Sequence, residues 1–419
     1  MATLTNTCTR DEPVAASVMT PPVDLKLGLL TGGGDKPYAF GLATALTSKG
    51  VHLDFIGSDE LDSPELRSTP NLRFLNLRGS QSADAGFAAK ILRILTYYVR
   101  LIAYAAGAKP KVLHVLWNNK FQTFDRTVLM LWYRLCGKRI VLTVHNVNAA
   151  RRDASDSLLN RLTLRAQYRL ADHLFVHTDR MKRELVDEFG VRESSVTTIP
   201  LGVNNSVPTT TLTPAAAKRR LGIHESDKTI LFYGHIGPYK GLEHLVAAFQ
   251  QVAATDPAYR LIIAGRPKTG ADKYWDEIQR SLRGDASGAR VIQRIEFIPD
   301  EETELYFKAA DVLALPYTHV FQSGVIVLGY TFGLPVVSTD VGSLAEDIVE
   351  GRTGFLCRPC DPVDLARAIE AYFASDLFRA LDSRRQEIRD FVQQRRSWDA
   401  ISQTTLGVYA QLRTTGASE

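Results

Sequence analysis

The chain of 419 residues contains little cysteine, with only four in all. Four cysteines in a chain of this length do not form the disulfide framework of a small secreted domain, which favours a reducing, cytoplasmic location. Cys357 and Cys360 form a CxxC pattern, but a zinc site would need two more ligands, and no Cys or His pair stands nearby. We therefore expect a turn that carries two thiols rather than a metal site.

Long hydrophobic runs are also missing. No segment reaches 18 uninterrupted apolar residues, so the sequence predicts no transmembrane helix. Residues 1–22 lack an apolar core and are predicted to form a disordered tail instead of a signal peptide. The stretch 90–109 comes nearest to a membrane segment, although Arg93 and Arg100 interrupt it. It predicts either a mostly buried helix or a helix that touches a membrane surface, so the protein is expected to be cytoplasmic and possibly membrane-peripheral.

A large excess of one charge is absent as well. The formal net charge is +4, from 50 Lys and Arg against 46 Asp and Glu. A dedicated nucleic-acid binder normally has a denser basic stripe, so nucleic acid is not expected as a partner. The hydrophobic fraction of 45% and the charged fraction of 23% are typical of a soluble globular protein.

The sequence does contain a repeated alternation of β-rich runs and helical patterns. It opens with LKLGLL (25–30), a glycine-rich loop, a helical stretch and VHLDFIGS, and four more β-rich runs follow up to residue 202. The polar stretch NNSVPTTTLTP has no periodicity and is the best linker candidate. The alternation then restarts with KTILFYG (228–234) and continues to PVVST (335–339). This pattern predicts two α/β units, each a parallel sheet wrapped by helices.

The predicted organisation has five parts. A tail (1–22) precedes an N-terminal lobe (23–204), a linker (205–214), a C-terminal lobe (215–380) and helices (381–413) that pack toward the first lobe. In open parallel sheets, ligands bind outside the carboxyl ends of the strands. The residues just after the strands are therefore the candidates for a site in the cleft between the lobes.

Two loops of the first lobe carry such candidates. After the first strand, TGGGDK lacks both the GxGxxG pattern and the ending of a phosphate-binding P-loop, so Gly32–Gly34 indicates only a tight turn or a close approach of the backbone. After RIVLTV, His145 stands in a polar loop, unlike a histidine of the core. We expect it to contact a polar substrate.

Two loops of the second lobe suit phosphate groups. GHIGPYKG ends in Lys240 and Gly241 at the start of a helix, where the backbone N–H groups and the helix dipole favour an anion. FQSG also precedes a helix, and the backbone N–H groups of Ser323, Gly324 and Val325 could bind a second phosphate. Two such turns in one lobe predict a diphosphate ligand.

Three longer stretches carry a family pattern. They are YGHIGPYKGLEHLVAAF, GLPVVSTDVGSLAEDIVEGRTGFL (333–356) and, in the first lobe, LTVHNV. Together they resemble the GT-B glycosyltransferases of the retaining family 4 type, over roughly residues 25–410. The resemblance implies an α/β fold of two Rossmann-like lobes that face a central cleft, with a C-terminal helix that crosses back to the first lobe. It also implies that the N-terminal lobe binds the acceptor and the C-terminal lobe binds the nucleotide-sugar donor.

The resemblance also implies roles for matching residues. Lys240 would neutralise the diphosphate of a nucleotide-sugar donor, and His145 would contact the donor sugar. The implied donor-binding residues are Gly33, Gly34, His235, Gln322, Ser323, Gly324, Val325 and Glu346. The implied acceptor-binding residues are Lys36, Asn146, Arg151 and Arg152. The two arginines would meet an anionic acceptor, unless they are solvated or paired internally.

The chain departs from the family pattern at two places. His235 stands where the family usually has an arginine, and it is not fully charged at pH 7. The family also has two glutamates eight residues apart, one beside the donor sugar and one on the ribose. Two registers place these positions at Val320 and Leu328, or at Phe321 and Gly329. Neither register contains an acid, so Gln322 or His319 would have to supply sugar contacts.

The resemblance implies a retaining, hexosyltransferase-like enzyme that moves a sugar to a sugar, lipid or small-molecule acceptor. Lys240, the helix N-terminus and backbone amides would stabilise the leaving diphosphate without a metal or further cofactor. The missing glutamates leave a catalytically weak sugar-nucleotide-binding protein as the alternative, and a nucleotide-sugar 2-epimerase as a third hypothesis. A nicotinamide-dependent dehydrogenase is disfavoured, because GxGxxG and the ribose-binding acid are absent.

Overall fold

The computed structural model describes residues 25–33, 36–81, 86–152, 155–205 and 207–414, so the predicted tail lies outside the described residues. The strands of the N-terminal lobe are β1 (Lys26–Leu30), β2 (His52–Gly57), β3 (Leu72–Asn76), β4 (Val112–Val115), β5 (Arg139–Val144), β6 (His173–Val176) and β7 (Val196–Thr198). They form one parallel sheet in the order β3-β2-β1-β4-β5-β6-β7. The sequence did not predict β3, an edge strand with partly exposed side chains and no continuous apolar run.

Helices cover this sheet. They are α1 (Lys36–Ser48), α2 (Pro64–Ser68), α3 (Phe87–Gly107), α4 (Gln122–Phe124), α5 (Met130–Leu135), α6 (Ala149–Arg152), α7 (Leu158–Leu170) and α8 (Asp179–Phe189). A π-helical turn, Asp125–Leu129, joins α4 to α5. Helix α1 buries Tyr38, Leu42 and Leu46, whose spacing of four residues places them on one face.

The strands of the C-terminal lobe are β8 (Lys228–Tyr233), β9 (Tyr259–Ala264), β10 (Val291–Arg294), β11 (Val312–Leu315), β12 (Val336–Thr339) and β13 (Gly354–Cys357). They form a second parallel sheet in the order β10-β9-β8-β11-β12-β13. Strands β11 and β12 are wholly buried, as expected of strands with both faces covered. The sequence did not predict the edge strand β13.

The helices of this lobe are α9 (Pro214–Arg220), α10 (Leu242–Thr255), α11 (Asp272–Arg283), α12 (Asp300–Ala309), α13 (Gly324–Thr331), α14 (Pro362–Ala374) and α15 (Asp376–Arg379). Two longer helices follow, α16 (Leu381–Arg396) and α17 (Trp398–Thr414). The two Rossmann-like α/β lobes confirm the predicted fold class. Between the sheets, residues 201–205 and 207–213 contain neither helix nor strand, and the exact lobe boundaries stay a prediction.

The C-terminal helix α17 returns to the first lobe, where it packs against α1. The indole Nε1 of Trp398 donates to the carbonyl oxygen of Val203 at 2.8 Å. The imidazole Nδ1 of His114, on β4, lies 2.6 Å from the phenol oxygen of Tyr409 on α17. These contacts tie the end of the chain to the core of the N-terminal lobe.

The order of the strands fixes where a ligand can bind. In the first sheet the direction of winding reverses between β1 and β4, and in the second it reverses between β8 and β11. The loops that follow such neighbouring strands diverge to opposite faces of the sheet and leave a crevice. No helix within the described residues is long and apolar enough to cross a membrane.

Candidate active site

A pocket of about 380 Å³ lies between the carboxyl ends of the two sheets. Its lining includes Tyr38, Trp117, His145 and Asn146 from the first lobe, and Tyr239, Lys240, Tyr317, Val320, Gln322, Ser323, Gly324, Val325 and Leu328 from the second. The structure therefore brings together seven of the predicted residues. These are His145, Asn146, Lys240, Gln322, Ser323, Gly324 and Val325.

Lys240 ends a short 3-10 turn and is 7% exposed. Its Nζ donates to the phenol oxygen of Tyr317 and lies 4.2 Å from the centre of that ring. Gly241 follows with a φ of 64°, and a Cβ there would lie 2.0 Å from the carbonyl oxygen of Pro316. Only glycine fits this close approach, so the turn that presents the ammonium group is tightly constrained.

Tyr317 links Lys240 to the second anion-binding turn. Burial raises the pKa of the Tyr317 phenol above its ordinary value, so the phenol keeps its proton. Its oxygen accepts from Lys240 and lies 3.3 Å from the hydroxyl oxygen of Ser323. Ser323 is the N-cap of α13, and its hydroxyl oxygen accepts from the Val325 N–H at 3.3 Å. The ammonium group and a helix N-terminus therefore meet in one pocket, an arrangement that suits the two phosphate groups of a diphosphate.

The loop that carries Tyr317 and Ser323 accepts hydrogen bonds from two residues at and just after the end of β12. The hydroxyl of Thr339 donates to the carbonyl oxygen of Tyr317 at 2.6 Å. The hydroxyl of Ser343 donates to the carbonyl oxygen of Phe321 at 2.8 Å. Because both donors are buried, the loop is a preformed part of the pocket.

His145 follows β5, and the hydrogen bonds of a second histidine decide which of its nitrogens carries the proton. The Nδ1 of His177 lies 3.1 Å from the carbonyl oxygen of Ile199, which can only accept, so this nitrogen is protonated. Burial lowers the pKa of His177 to about 4, so its Nε2 is an acceptor at pH 7. It lies 3.0 Å from the Nδ1 of His145, which therefore donates.

The Nε2 of His145 is consequently an acceptor. It is buried and has no hydrogen-bond partner within the described part of the chain. Burial, followed by the neighbouring His177, lowers the pKa of His145 well below its ordinary value, so the ring is neutral. The ring stacks on Trp117, with centroids 4.2 Å apart and planes 3° apart. A rigid, neutral acceptor in a pocket suits a ligand hydroxyl group.

The glycine loop after β1 lies outside the pocket lining. Gly33 has a φ of 73°, and a Cβ there would lie 2.4 Å from Nη1 of Arg78, which itself donates to the carbonyl oxygen of Gly32. The turn is therefore explained by contacts within the protein. Gly34 falls outside the described residues.

His235 and Glu346 also do not line the pocket. His235 is exposed, and partial burial, followed by Arg266 and Lys240, lowers its pKa. It is thus neutral at pH 7 and does not replace the charge of an arginine. Glu346 is exposed on a 3-10 turn, and burial, followed by Asp347 and Asp179, raises its pKa.

The predicted acceptor-binding residues are dispersed. Asn146 lines the cleft pocket, whereas Lys36 lines a neighbouring pocket of about 530 Å³ that shares Pro37 with it. The guanidinium of Arg151 is hydrogen-bonded to Glu184 and Glu188 of α8. The side chain of Arg152 lies outside the described residues.

The two positions at which the resemblance implies glutamates can now be located. Val320 and Leu328 both line the pocket, whereas Phe321 and Gly329 do not. Of the two registers, only the one counted back from Gly333 therefore places both positions in the pocket. In this chain both are occupied by apolar side chains.

Sequence reasoning missed three side chains that shape the site: Trp117, His177 and Tyr317. Each lies one or two residues beyond the end of a strand, namely β4, β6 and β11. All three therefore stand where His145 does, just after a strand. What marks them as part of the site is their contacts, and these join residues that are distant in the sequence. Within the residues described, no group of three or more His, Cys, Asp or Glu could hold a metal ion.

Comparison with known proteins divides the chain as the two sheets do. A family model described as Glycosyltransferase Family 4 matches residues 32–207. A second, described as Glycosyl transferases group 1, matches residues 227–375. Together the two matches cover most of both lobes.

Among curated proteins, a D-inositol 3-phosphate glycosyltransferase of Geodermatophilus obscurus is 34% identical over 216 residues, about half the length of either chain (49% of this one and 46% of the relative). The protein of the same name from Acidothermus cellulolyticus is 26% identical over 415 residues, which cover 94% of this chain and 88% of the relative.

Among solved structures, sucrose-phosphate synthase from Thermosynechococcus elongatus superposes with a TM-score of 0.74 at 20% identity, over 93% of this chain and 100% of that one. Anabaena HepE, in complex with UDP and glucose, superposes with a TM-score of 0.70 at 17% identity, with the same coverage. At these identities the likeness shows the two-lobed GT-B fold.

Proposed function

The chain belongs to the family 4 glycosyltransferases, and from this membership we propose that it moves a sugar from a nucleotide-diphosphate sugar to an acceptor hydroxyl with retention of configuration. The observation that carries the proposal is the single cleft pocket in which Lys240, the N-terminus of α13 and His145 meet. The first two suit a diphosphate, and the third suits a sugar hydroxyl.

A nucleotide donor is supported by the relatives. Structures of Anabaena HepE were obtained in complex with UDP and with UDP-glucose, and that protein shares the fold of this chain. In this chain, Lys240 and the amides of Ser323 and Gly324 would hold the donor phosphates. The Nε2 of His145 would accept a hydrogen bond from the sugar, because its proton lies on Nδ1.

The transfer requires one bond to break and one to form. The bond between the anomeric carbon and the oxygen of the donor diphosphate breaks while the acceptor hydroxyl attacks the same face of the sugar. The acceptor proton passes to an oxygen of the departing phosphate, and a nucleoside diphosphate is released. The positive charge of Lys240 stabilises the negative charge that develops on that phosphate, so the proposed reaction uses no metal or further cofactor.

An anionic acceptor is supported by a second pocket, of about 310 Å³, on the N-terminal lobe. Its described lining carries four cations and no acid: Arg78, Lys90, Arg93 and Lys120, beside Tyr97, Tyr98 and Asn119. It adjoins the cleft, because Arg78 donates to the carbonyl of Gly32, whose loop packs on the backbone of Trp117. Four cations around one cavity suit a phosphate. The curated relatives named above are themselves named for a phosphorylated acceptor.

The apolar Val320 and Leu328 favour one second candidate, a nucleotide-sugar-binding protein with little turnover. Two carboxylates that the family places beside the sugar and the ribose are replaced by aliphatic side chains in the pocket wall. Loss of those hydrogen bonds would weaken positioning of the donor more than binding of its phosphates.

A turnover assay separates the two candidates. The protein is incubated with UDP-glucose, UDP-N-acetylglucosamine or GDP-mannose, each with inositol, inositol 3-phosphate or glucose 6-phosphate. We expect nucleoside diphosphate release that depends on a phosphorylated acceptor, and a product whose anomeric proton coupling matches that of the donor. Binding of UDP without release from any pair would favour the binding protein, and an inverted product would contradict retention.

A cytoplasmic location and a peripheral contact of the stretch 90–109 with a membrane are kept as predictions beside this function. Neither is needed for the reaction.

A further inference from the structure

Exposed apolar side chains are concentrated on one side of the N-terminal lobe. Among the described residues, fourteen large hydrophobic side chains are exposed, and eleven of them belong to α3, to the helical segment 122–135 with its preceding residue, and to α7. They are Ile91, Leu92, Leu95, Val99, Phe121, Val128, Leu131, Leu135, Leu158, Leu159 and Leu162. The other three, Phe297, Val349 and Val363, lie on the C-terminal lobe. We call the surface of these three helical segments the three-helix face.

The three segments lie side by side. The indole Nε1 of Trp132, on α5, donates to the carbonyl oxygen of Ile102 on α3 at 3.1 Å. On its other flank, the guanidinium of Arg134 donates to the carbonyl oxygen of Leu170, the last residue of α7, at 3.0 Å. The helical segment 122–135 is therefore the middle element of a continuous face.

The apolar positions follow the helical period on the outer side. On α3, Leu92, Leu95 and Val99 are 66%, 53% and 66% exposed, while Tyr98 and Leu101 between and beyond them are buried. This helix is thus apolar on both faces, although only the inner one contacts the core. Val128, Leu131 and Leu135 repeat the spacing on the middle segment, and Leu158 and Leu162 repeat it on α7. An apolar surface this extensive marks an interaction site.

The same segments are strongly basic. Over α3, 122–135 and α7 the sequence has eight Lys and Arg residues and one acid, a net charge of +7, whereas the whole chain has +4. The basic residues are Lys90, Arg93, Arg100, Arg126, Arg134, Arg161, Arg165 and Arg169. The one acid, Asp125, is buried and accepts a hydrogen bond from Tyr98, so it does not reach the surface. Two of the cations are paired with acids just outside these segments: Arg161 with Asp156 and Arg134 with Asp172.

We propose that the three-helix face docks on an anionic lipid bilayer. Apolar side chains flanked by lysine and arginine are the composition of helices that lie in a membrane interface. A second copy of this chain is disfavoured as the occupant, because pairing of like faces would bring two basic surfaces together. Insertion across the bilayer is not involved, since no described helix is suited to it.

The basic pocket of about 310 Å³ opens beside this face, and Lys90 and Arg93 belong to both. Docking would therefore bring that pocket close to the lipid headgroups. The proposal does not depend on the glycosyl transfer proposed above, because it rests on the composition and exposure of the outer helices alone.

Vesicle sedimentation of the full chain tests the proposal. With vesicles of phosphatidylcholine and phosphatidylglycerol at a ratio of 7:3 we expect binding, and with phosphatidylcholine alone at least tenfold weaker binding. The triple variant Leu92→Ser, Leu95→Ser, Val99→Ser should bind at least tenfold more weakly. The matched control is Phe297→Ser, Val349→Ser, Val363→Ser, which removes the other exposed apolar side chains and should bind like the natural chain. Arg100→Gln with Arg165→Gln should weaken binding about fivefold for each charge removed.

Several results would overturn the proposal. One is no binding to the anionic vesicles, and another is equal loss in the triple variant and its control. A third is a dimer in analytical ultracentrifugation that the triple variant abolishes while vesicle binding is absent, which would assign the face to a second copy. Folding of both triple variants is checked by circular dichroism and thermal unfolding, which should match those of the natural chain.

Discussion

Replacing Lys240 by methionine removes the ammonium group of the proposed phosphate site while it keeps most of the side-chain volume. In the free protein Lys240 is 7% exposed, donates to Tyr317 and lies over its ring. The substitution loses these contacts but also relieves the desolvation of a buried charge, and the two effects oppose each other. We therefore expect the free protein to unfold within a few degrees of the natural chain.

The effect on ligand binding should be much larger. A hydrogen bond between the Lys240 ammonium and a phosphate oxygen is charge-assisted and contributes about 1.5–3 kcal/mol. Loss of that contribution raises Kd about 10- to 150-fold. We thus expect the Kd for UDP to rise by roughly two orders of magnitude.

Isothermal titration calorimetry with UDP measures this change directly. Lys273→Met is the matched control, because Lys273 is exposed on α11, outside the pocket. It should bind UDP as the natural chain does. If Lys240→Met binds UDP within threefold of the natural chain, Lys240 does not contact the diphosphate, and the account of the site is wrong.

Three further predictions follow from the site and its histidines. In ¹⁵N NMR at pH 7, His145 should show an unprotonated Nε2, and His177→Phe should abolish this preference; a protonated Nε2 in the natural chain would reject the assigned tautomer. Burial lowers the pKa of His114 to about 3 and of His173 to about 4, so their stabilising contribution is present above the unfolded value of about 6.5 and is lost as the pH falls below it. For each of the two histidines, the free energy of unfolding measured with urea should fall by about 2 kcal/mol between pH 7.5 and pH 5. A free energy of unfolding that does not change over this range would contradict the prediction. Leu328→Glu should create a preference for UDP over its 2′,3′-dideoxy analogue; an unchanged ratio of affinities would show that residue 328 is not beside the ribose.

Most of the fold could be predicted because buried parallel strands are apolar on both faces. Strands such as β8 and β11 have continuous apolar runs that no helix period matches. Strands β3 and β13 were not predicted, because LRFLN and GFLC are short, only partly buried and carry no long apolar run.

Residues of the cleft pocket could be predicted where they stand in polar loops after strands. His145 and Lys240 are examples, and both line the pocket. The partners that orient them, His177 and Tyr317, contact them across 32 and 77 residues of sequence, and no local pattern encodes such a distance. The sequence of α3 was ambiguous for a similar reason. Its apolar composition fits a buried helix as well as a surface helix, and only the structure shows which of its side chains are exposed.

The central claim is that the cleft pocket binds the diphosphate of a sugar nucleotide. A crystal structure of the protein with UDP tests it most directly. We predict the distal phosphate with one oxygen about 3 Å from the Nζ of Lys240 and another at the same distance from the backbone N–H of Gly324. A phosphate bound elsewhere, with Lys240 still on Tyr317 and the N-terminus of α13 without a ligand, would contradict the account.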